Sequence, residues 1–117
     1  MNTSFFVKLA LAATVAIVSS AFAENNYEAG IAVTKKYACA SCHGEGFDKP
    51  VQPTYPKLAG QHADYLKHAL IAYQRGDGPN GRNNAIMGAT AKQMSAQEIA
   101  DVAVYLHSLP GSLVSQK

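Results

Sequence analysis

Cys39 and Cys42 stand two residues apart, and His43 follows directly in the run Cys39-Ala40-Ser41-Cys42-His43. Two thiols and an imidazole within five residues allow a short list of chemistries. A disulfide across so small a loop removes little entropy from the unfolded chain and makes a poor staple. A structural zinc site needs four ligands, usually with a second close pair. The other histidines, His62, His68 and His107, form no such doublet. A thioredoxin-like redox pair belongs in a βαβ setting, and no strand pattern precedes Cys39. The remaining chemistry is covalent haem attachment, for which C-x-x-C-H is the known pattern. Two thiols at this spacing reach both vinyl groups of a haem from one turn of chain. The adjacent imidazole then falls over the iron, and the covalent link keeps the haem bound outside the cell.

Three helical segments are expected to position these groups. One runs from about Tyr27 to Tyr37 and leads into the cysteines. A second, from about Ala63 to Arg75, carries Leu66, Ala69, Leu70 and Tyr73 on one face, with Gly76 as its stop. The third opens on a capping box at Ser95-Ala96-Gln97-Glu98. It continues with the stripe Ile99, Val102, Ala103, Leu106 and Leu109, and Pro110-Gly111 ends it. The stretch Gly44 to Gly60 holds Pro50, Pro53 and Pro56, which exclude regular helix. The stretch Gly76 to Gly88 is rich in turn residues. An all-α domain with such long loops and few large apolar side chains needs something bulky and apolar at its centre. A haem supplies it.

The termini and charge bound the setting. Residues 1–23 join one lysine, an apolar run from Leu9 to Val18 and small residues at Ala21 and Ala23, which predicts a secretory signal peptide cleaved after Ala23. The uncharged stretch is shorter than a membrane span needs. One domain, residues 24–117, would remain, and loss of Lys8 takes the formal charge from +2 to +1. A near-neutral chain without a basic stripe is a poor ligand for nucleic acid. No second apolar run approaches membrane length, so a soluble exported (periplasmic) protein is expected.

Further signatures lie in order along the chain. After Cys39-Ala40-Ser41-Cys42-His43-Gly44 come Tyr55-Pro56-Lys57-Leu58-Ala59-Gly60-Gln61, Tyr65-Leu66 and Ala85-Ile86-Met87-Gly88. The last is the Ser95–Leu109 helix, with Ile99-Ala100-Asp101-Val102-Ala103 and Tyr105. With these, the chain over residues 27–110 resembles a class I c-type cytochrome. It is similar to the small bacterial single-haem proteins and to one half of their two-haem relatives.

The resemblance implies a cytochrome c fold, three main helices and long loops wrapped around one covalent haem c. It implies Met87 as the second axial ligand opposite His43. The residues themselves favour Met87 over Met94, since Met87 lies in a turn-rich loop able to reach the iron and Met94 abuts the Ser95 cap. Pro56 matches the residue whose carbonyl accepts the Nδ1–H of the proximal histidine, a bond that fixes the ring. Gly30 and Tyr105 match the crossing of the first and last helices. His62 is the fallback distal ligand. Arg82, Asn83 and Asn84 are candidates to bond a haem propionate or the Met87 loop.

Two filled axial positions leave no open site for substrate, and a thioether ligand raises the potential. The expected function is one-electron transfer between periplasmic redox proteins through small, transient interfaces, with no catalysis of its own, by a monomer or a small complex subunit. The alternatives are a haem subunit of a larger periplasmic oxidoreductase and an open-iron haem sensor.

Overall fold

The computed structural model describes the backbone of residues 16–112 and the side chains of residues 26–112. The described residues form five helices: α1 (Ala16–Lys36), α2 (Ala40–His43), α3 (Ala63–Arg75), α4 (Ala85–Ala91) and α5 (Ala96–Ser108). No strand occurs among the described residues, and the fold is all-α. No described helix is long and apolar enough to cross a membrane.

The first helix differs from the sequence expectation. It starts at Ala16 rather than near Tyr27 and ends at Lys36, because residues 16–29 contain neither glycine nor proline to interrupt it. The expected leader lies outside the described residues over 1–15. The expected cleavage point, Ala23–Glu24, falls inside α1. Lys35 and Lys36 close the helix, where cations complement the partial negative charge of its C-terminus.

Beyond Lys36 the chain folds back through a Schellman turn: Cys39 N donates to Thr34 O at 3.0 Å, and Ala38 N donates to Lys35 O at 3.2 Å. Ala38 occupies the left-handed position, φ 51°. Glycine is the usual residue there, and an alanine costs about 1 kcal/mol. This turn aims the cysteine segment, and α2 is the single helical turn between Cys39 and Gly44.

The frame is the crossing of α1 and α5. A Cβ on Gly30 would lie 2.4 Å from Asp101 O and 2.4 Å from Tyr105 Cβ, so only glycine lets the two backbones come this close. Tyr105 packs edge-on against Tyr27 (5.2 Å between centroids) and Phe47 (6.1 Å). The capping box of α5 is complete: Glu98 N donates to Ser95 Oγ at 3.1 Å, and Ser95 N donates to Glu98 Oε2 at 2.9 Å. The same carboxylate accepts from Lys36 Nζ at 2.6 Å and from Tyr37 Oη at 2.9 Å, tying the end of α1 to the start of α5.

Val33, Phe47, Leu66, Met94, Ile99, Val102, Ala103 and Leu106 make the core. Among the described residues no large side chain is completely shielded from solvent. The centre is a cavity, with helices and loops around it.

Candidate functional site

The cavity measures about 390 Å³, within the range of cofactor sites. Its lining begins at the end of α1 with Tyr37, Ala38 and Cys39, then Cys42 and His43 from α2. Pro56, Leu58 and Gln61 come from the proline-rich loop. Helix α3 contributes Leu66, Ala69, Leu70 and Tyr73, the stripe that the sequence marks as its apolar face, together with Tyr65. Helix α4 contributes Ile86, Met87 and Thr90, and α5 contributes Val102 and Leu106.

Cys39 and Cys42 are free thiols. Burial pushes the Cys39 thiol up from its usual range. His43 is buried, with 6% of its surface exposed. Its Nδ1 lies 2.8 Å from Pro56 O. A carbonyl only accepts, so Nδ1 donates, and in the neutral ring this leaves the lone pair on Nε2. Proline suits this position, because the loop bends there and the carbonyl is the only backbone hydrogen-bonding group it offers.

That carbonyl is held in place by neighbours that the sequence did not reveal. Phe47 adopts a left-handed conformation, φ 58°, and its oxygen accepts from Leu58 N at 2.8 Å and Ala59 N at 3.0 Å. A buried phenylalanine in that conformation leaves no mark in composition or periodicity.

Met87 lies on the cavity wall, in a helix and not in the loop that the sequence suggests. Asn84 caps α4, its Oδ1 accepting from Ile86 N at 3.0 Å and Met87 N at 2.9 Å. An asparagine immediately before an apolar run, here Ala85-Ile86-Met87, is a helix start signal that the sequence carries. Gln74 of α3 fixes the far end of α4 by donating to Ala91 O at 2.8 Å and Met94 O at 2.9 Å. Met94 is buried in the core and also touches the cavity. His62 is exposed and absent from the lining. Its ring faces that of His107 at 6.4 Å.

The donor set decides what such a cavity can hold. Two thiols, an imidazole with a free Nε2 and a thioether share one otherwise largely apolar lining. Cys39 and Cys42 fit one covalently bound haem c with its iron.

Comparison with known proteins agrees. The family model for cytochrome c matches residues 27–110. Cytochrome c-554(548) of Halomonas halodenitrificans is 40% identical over 70 residues, 60% of this chain and 82% of that protein. Cytochrome c4 of Stutzerimonas stutzeri is 34% identical over 112 residues, 92% of this chain and 52% of that protein. A thiosulfate dehydrogenase electron acceptor of Thiomonas intermedia is 36% identical over 75 residues, 64% of this chain and 33% of that protein. The chain thus spans about half the length of the cytochrome c4 relatives it matches. The matched span begins at Tyr27, where α1 meets Tyr105, and closes at Pro110, just beyond α5, taking in every element around the cavity: the chain belongs to the cytochrome c family.

Proposed function

We propose that this protein carries single electrons on one haem c, with His43 and Met87 as the two axial ligands. The supporting observation is that the His43 ring, its tautomer fixed by Pro56, and the Met87 thioether line the same cavity as both cysteines. When bound, the haem supplies an iron that cycles between ferric and ferrous.

The chain's own residues would hold that iron in one geometry through the cycle. Pro56 fixes the imidazole plane and raises its basicity. Asn84 fixes the helix that bears Met87. The thioether favours the reduced state and raises the potential. Leu66, Leu70, Val102 and Leu106 exclude water. Two protein ligands leave no iron position for a substrate, so the role is that of a carrier and not an enzyme. We further propose a leader over residues 1–23, a mature domain over 24–117, a periplasmic location and transient docking on redox partners.

The test is an absorption spectrum of protein exported from a host with haem-attachment machinery. Sharp low-spin bands on reduction are expected, with a weak far-red sulfur-to-iron band when oxidised. Met87→Ala should abolish the far-red band. A spectrum unchanged by Met87→Ala would exclude Met87 as ligand, and a high-spin parent that binds carbon monoxide would turn the reading to an open iron.

A second reading is a haem subunit of a larger oxidoreductase. It is favoured by the partial coverage of the longer relatives and by the likeness to a protein named as an electron acceptor. A partner that co-purifies with the exported protein would select it, and a lone monomer would select the free carrier.

A further inference from the structure

We propose that His62 and His107 form a surface site for one borderline divalent cation (zinc, nickel or copper), bound through a nitrogen of each imidazole. Neither ring lines the cavity, so the site stands apart from the haem reading above.

The two histidines are distant in sequence and adjacent in space. His62 is the N-cap of α3, and His107 lies in the last turn of α5. Hydrogen bonds join these two helix ends right beside the rings. Gly60 N donates to Leu106 O at 2.9 Å, and His107 Nδ1 donates to Gln61 O at 2.8 Å. Both side chains are at the surface, and their rings face each other at 6.4 Å between centroids.

The nitrogens that a cation needs are not engaged elsewhere. With His107 Nδ1 donating to a carbonyl, the neutral ring has its lone pair on Nε2. Metal-ligating histidines are arranged in this way, the second nitrogen bonded to a carbonyl or carboxylate that fixes the ring. At an N-cap, a serine, threonine, aspartate or asparagine side chain stabilises its helix by about 1 kcal/mol. The His62 side chain makes no capping bond. Its backbone N donates to Gln61 Oε1 at 2.9 Å, while its ring has no hydrogen bond among the described residues. The chain gives up a cap here and keeps an imidazole whose neighbour is a second imidazole.

The donors set the class of ion. Metal–nitrogen bonds of ~2.0–2.1 Å put two imidazoles on one ion with their centroids about 5–6 Å apart. The ring planes differ by 24°, so one ring turns about its Cβ–Cγ bond to aim its nitrogen at the shared ion, and that torsion is broad in histidine. No third histidine, cysteine or carboxylate joins the pair among the described residues, which leaves the other positions on the ion to water. Calcium and magnesium take oxygen ligands, whereas imidazole suits zinc, nickel and copper. An ion held here ties the start of α3, which carries an apolar wall of the cavity, to the end of α5.

The experiment uses the exported holo-protein without an affinity tag, in its reduced form, with zinc as the probe. Calorimetric titration at pH 7.5 is combined with 15N spectra of the histidine rings. One zinc per chain is expected, with the ring signals of His62 and His107 shifting together. His62→Gln and His107→Gln should each weaken binding roughly tenfold. The double variant should bind little more weakly than either one, because losing one member already breaks a shared site. His68→Gln, at another exposed histidine, should bind zinc as the parent does. Absence of binding at millimolar zinc, or an unchanged affinity in His62→Gln, overturns the proposal. So do losses that add in the double variant, which would mean two histidines each holding its own ion, and so does a loss in His68→Gln. If His107→Gln unsettles the end of α5 through its lost bond to Gln61, His62→Gln decides alone, since that ring has no hydrogen bond to lose.

Discussion

The wall that carries Cys39, Cys42 and His43 is backed by the α1–α5 crossing, where Val33, Phe47, Ile99, Val102 and Leu106 are buried and one carboxylate joins three donors from two helices. The wall that carries Met87 is a helix of seven residues that buries only Gly88 and Ala91 and leaves Ile86 56% exposed. The first wall has a small core of its own. The second hangs on an asparagine cap and on Gln74, and its apolar side chains face the cavity rather than each other. The group that fills the cavity therefore matters unequally: it joins an already packed half to a half with little packing of its own.

The sharpest way to break this comparison is to prevent attachment. Cys39→Ala/Cys42→Ala should abolish the cooperative melt and most of the helical circular dichroism. Hydrogen exchange should leave residual protection in α1 and α5 and none in α4. Full helix content with a sharp melt would show that the cavity needs no occupant.

Striking at the packed half directly, Gly30→Ala sets a methyl group against Asp101 O and the Tyr105 side chain. A backbone cannot yield as a side chain does, and a loss of about 2 kcal/mol is expected by denaturant titration. A neutral result would mean that α1 and α5 slide freely.

On the weaker half, Asn84→Ala removes the acceptor of two backbone N–H groups. It should cost about 1 kcal/mol. The effect should fall on ligation, as a weaker far-red band, more than on melting. A fall in melting temperature with the far-red band intact would show the two halves to be one cooperative unit.

The smallest expected effect is that of acid on the Glu98 tie. Lys36 first, then the Ser95 N–H and the Tyr37 hydroxyl, hold its carboxyl down from 4.5 to about 2. A depressed folded value means stabilisation that is whole above the unfolded value and is lost as pH falls. The window runs from about 4.5 down to about 2. Because Glu98 is at the surface, salt should weaken the effect. Melting temperatures from pH 5 to pH 2 check this: Glu98→Gln should narrow the acid sensitivity of the parent, and identical curves would remove the tie from the account.

The two halves were not equally legible in the sequence. The box Ser95-Ala96-Gln97-Glu98 and the spacing of the α5 stripe gave the last helix to within a residue. The bounds of α3 fell where Gly76 stops it. These signals are local, since each depends on residues within a turn or two. The Gly30–Tyr105 contact came through the family resemblance, because nothing near Gly30 says which backbone it must admit. Helix α4 replaces the loop that the sequence suggests, since the glycines and asparagines before it outweigh the single cap at Asn84 as a signal. Helix α1 extends farther upstream than its amphipathic part, and the left-handed Phe47 that shapes the loop before Pro56 is a tertiary effect. The five expected site residues, Cys39, Cys42, His43, Pro56 and Met87, all reach one cavity, while His62 does not.

Glu98 has one more consequence, and it concerns how such a sequence can drift. A single side chain caps its own helix, accepts a cation from another and receives a tyrosine hydroxyl. Aspartate is one methylene too short to serve all three donors, and glutamine loses the charge. Positions 36, 37, 95 and 98 are therefore not four independent choices. A lineage that abandons Glu98 loses the tie of Lys36 to α5 and the acceptor of the Ser95 N–H and leaves Tyr37 to Gln93 O alone, all at once, so these four positions should change as a set among natural relatives or not at all.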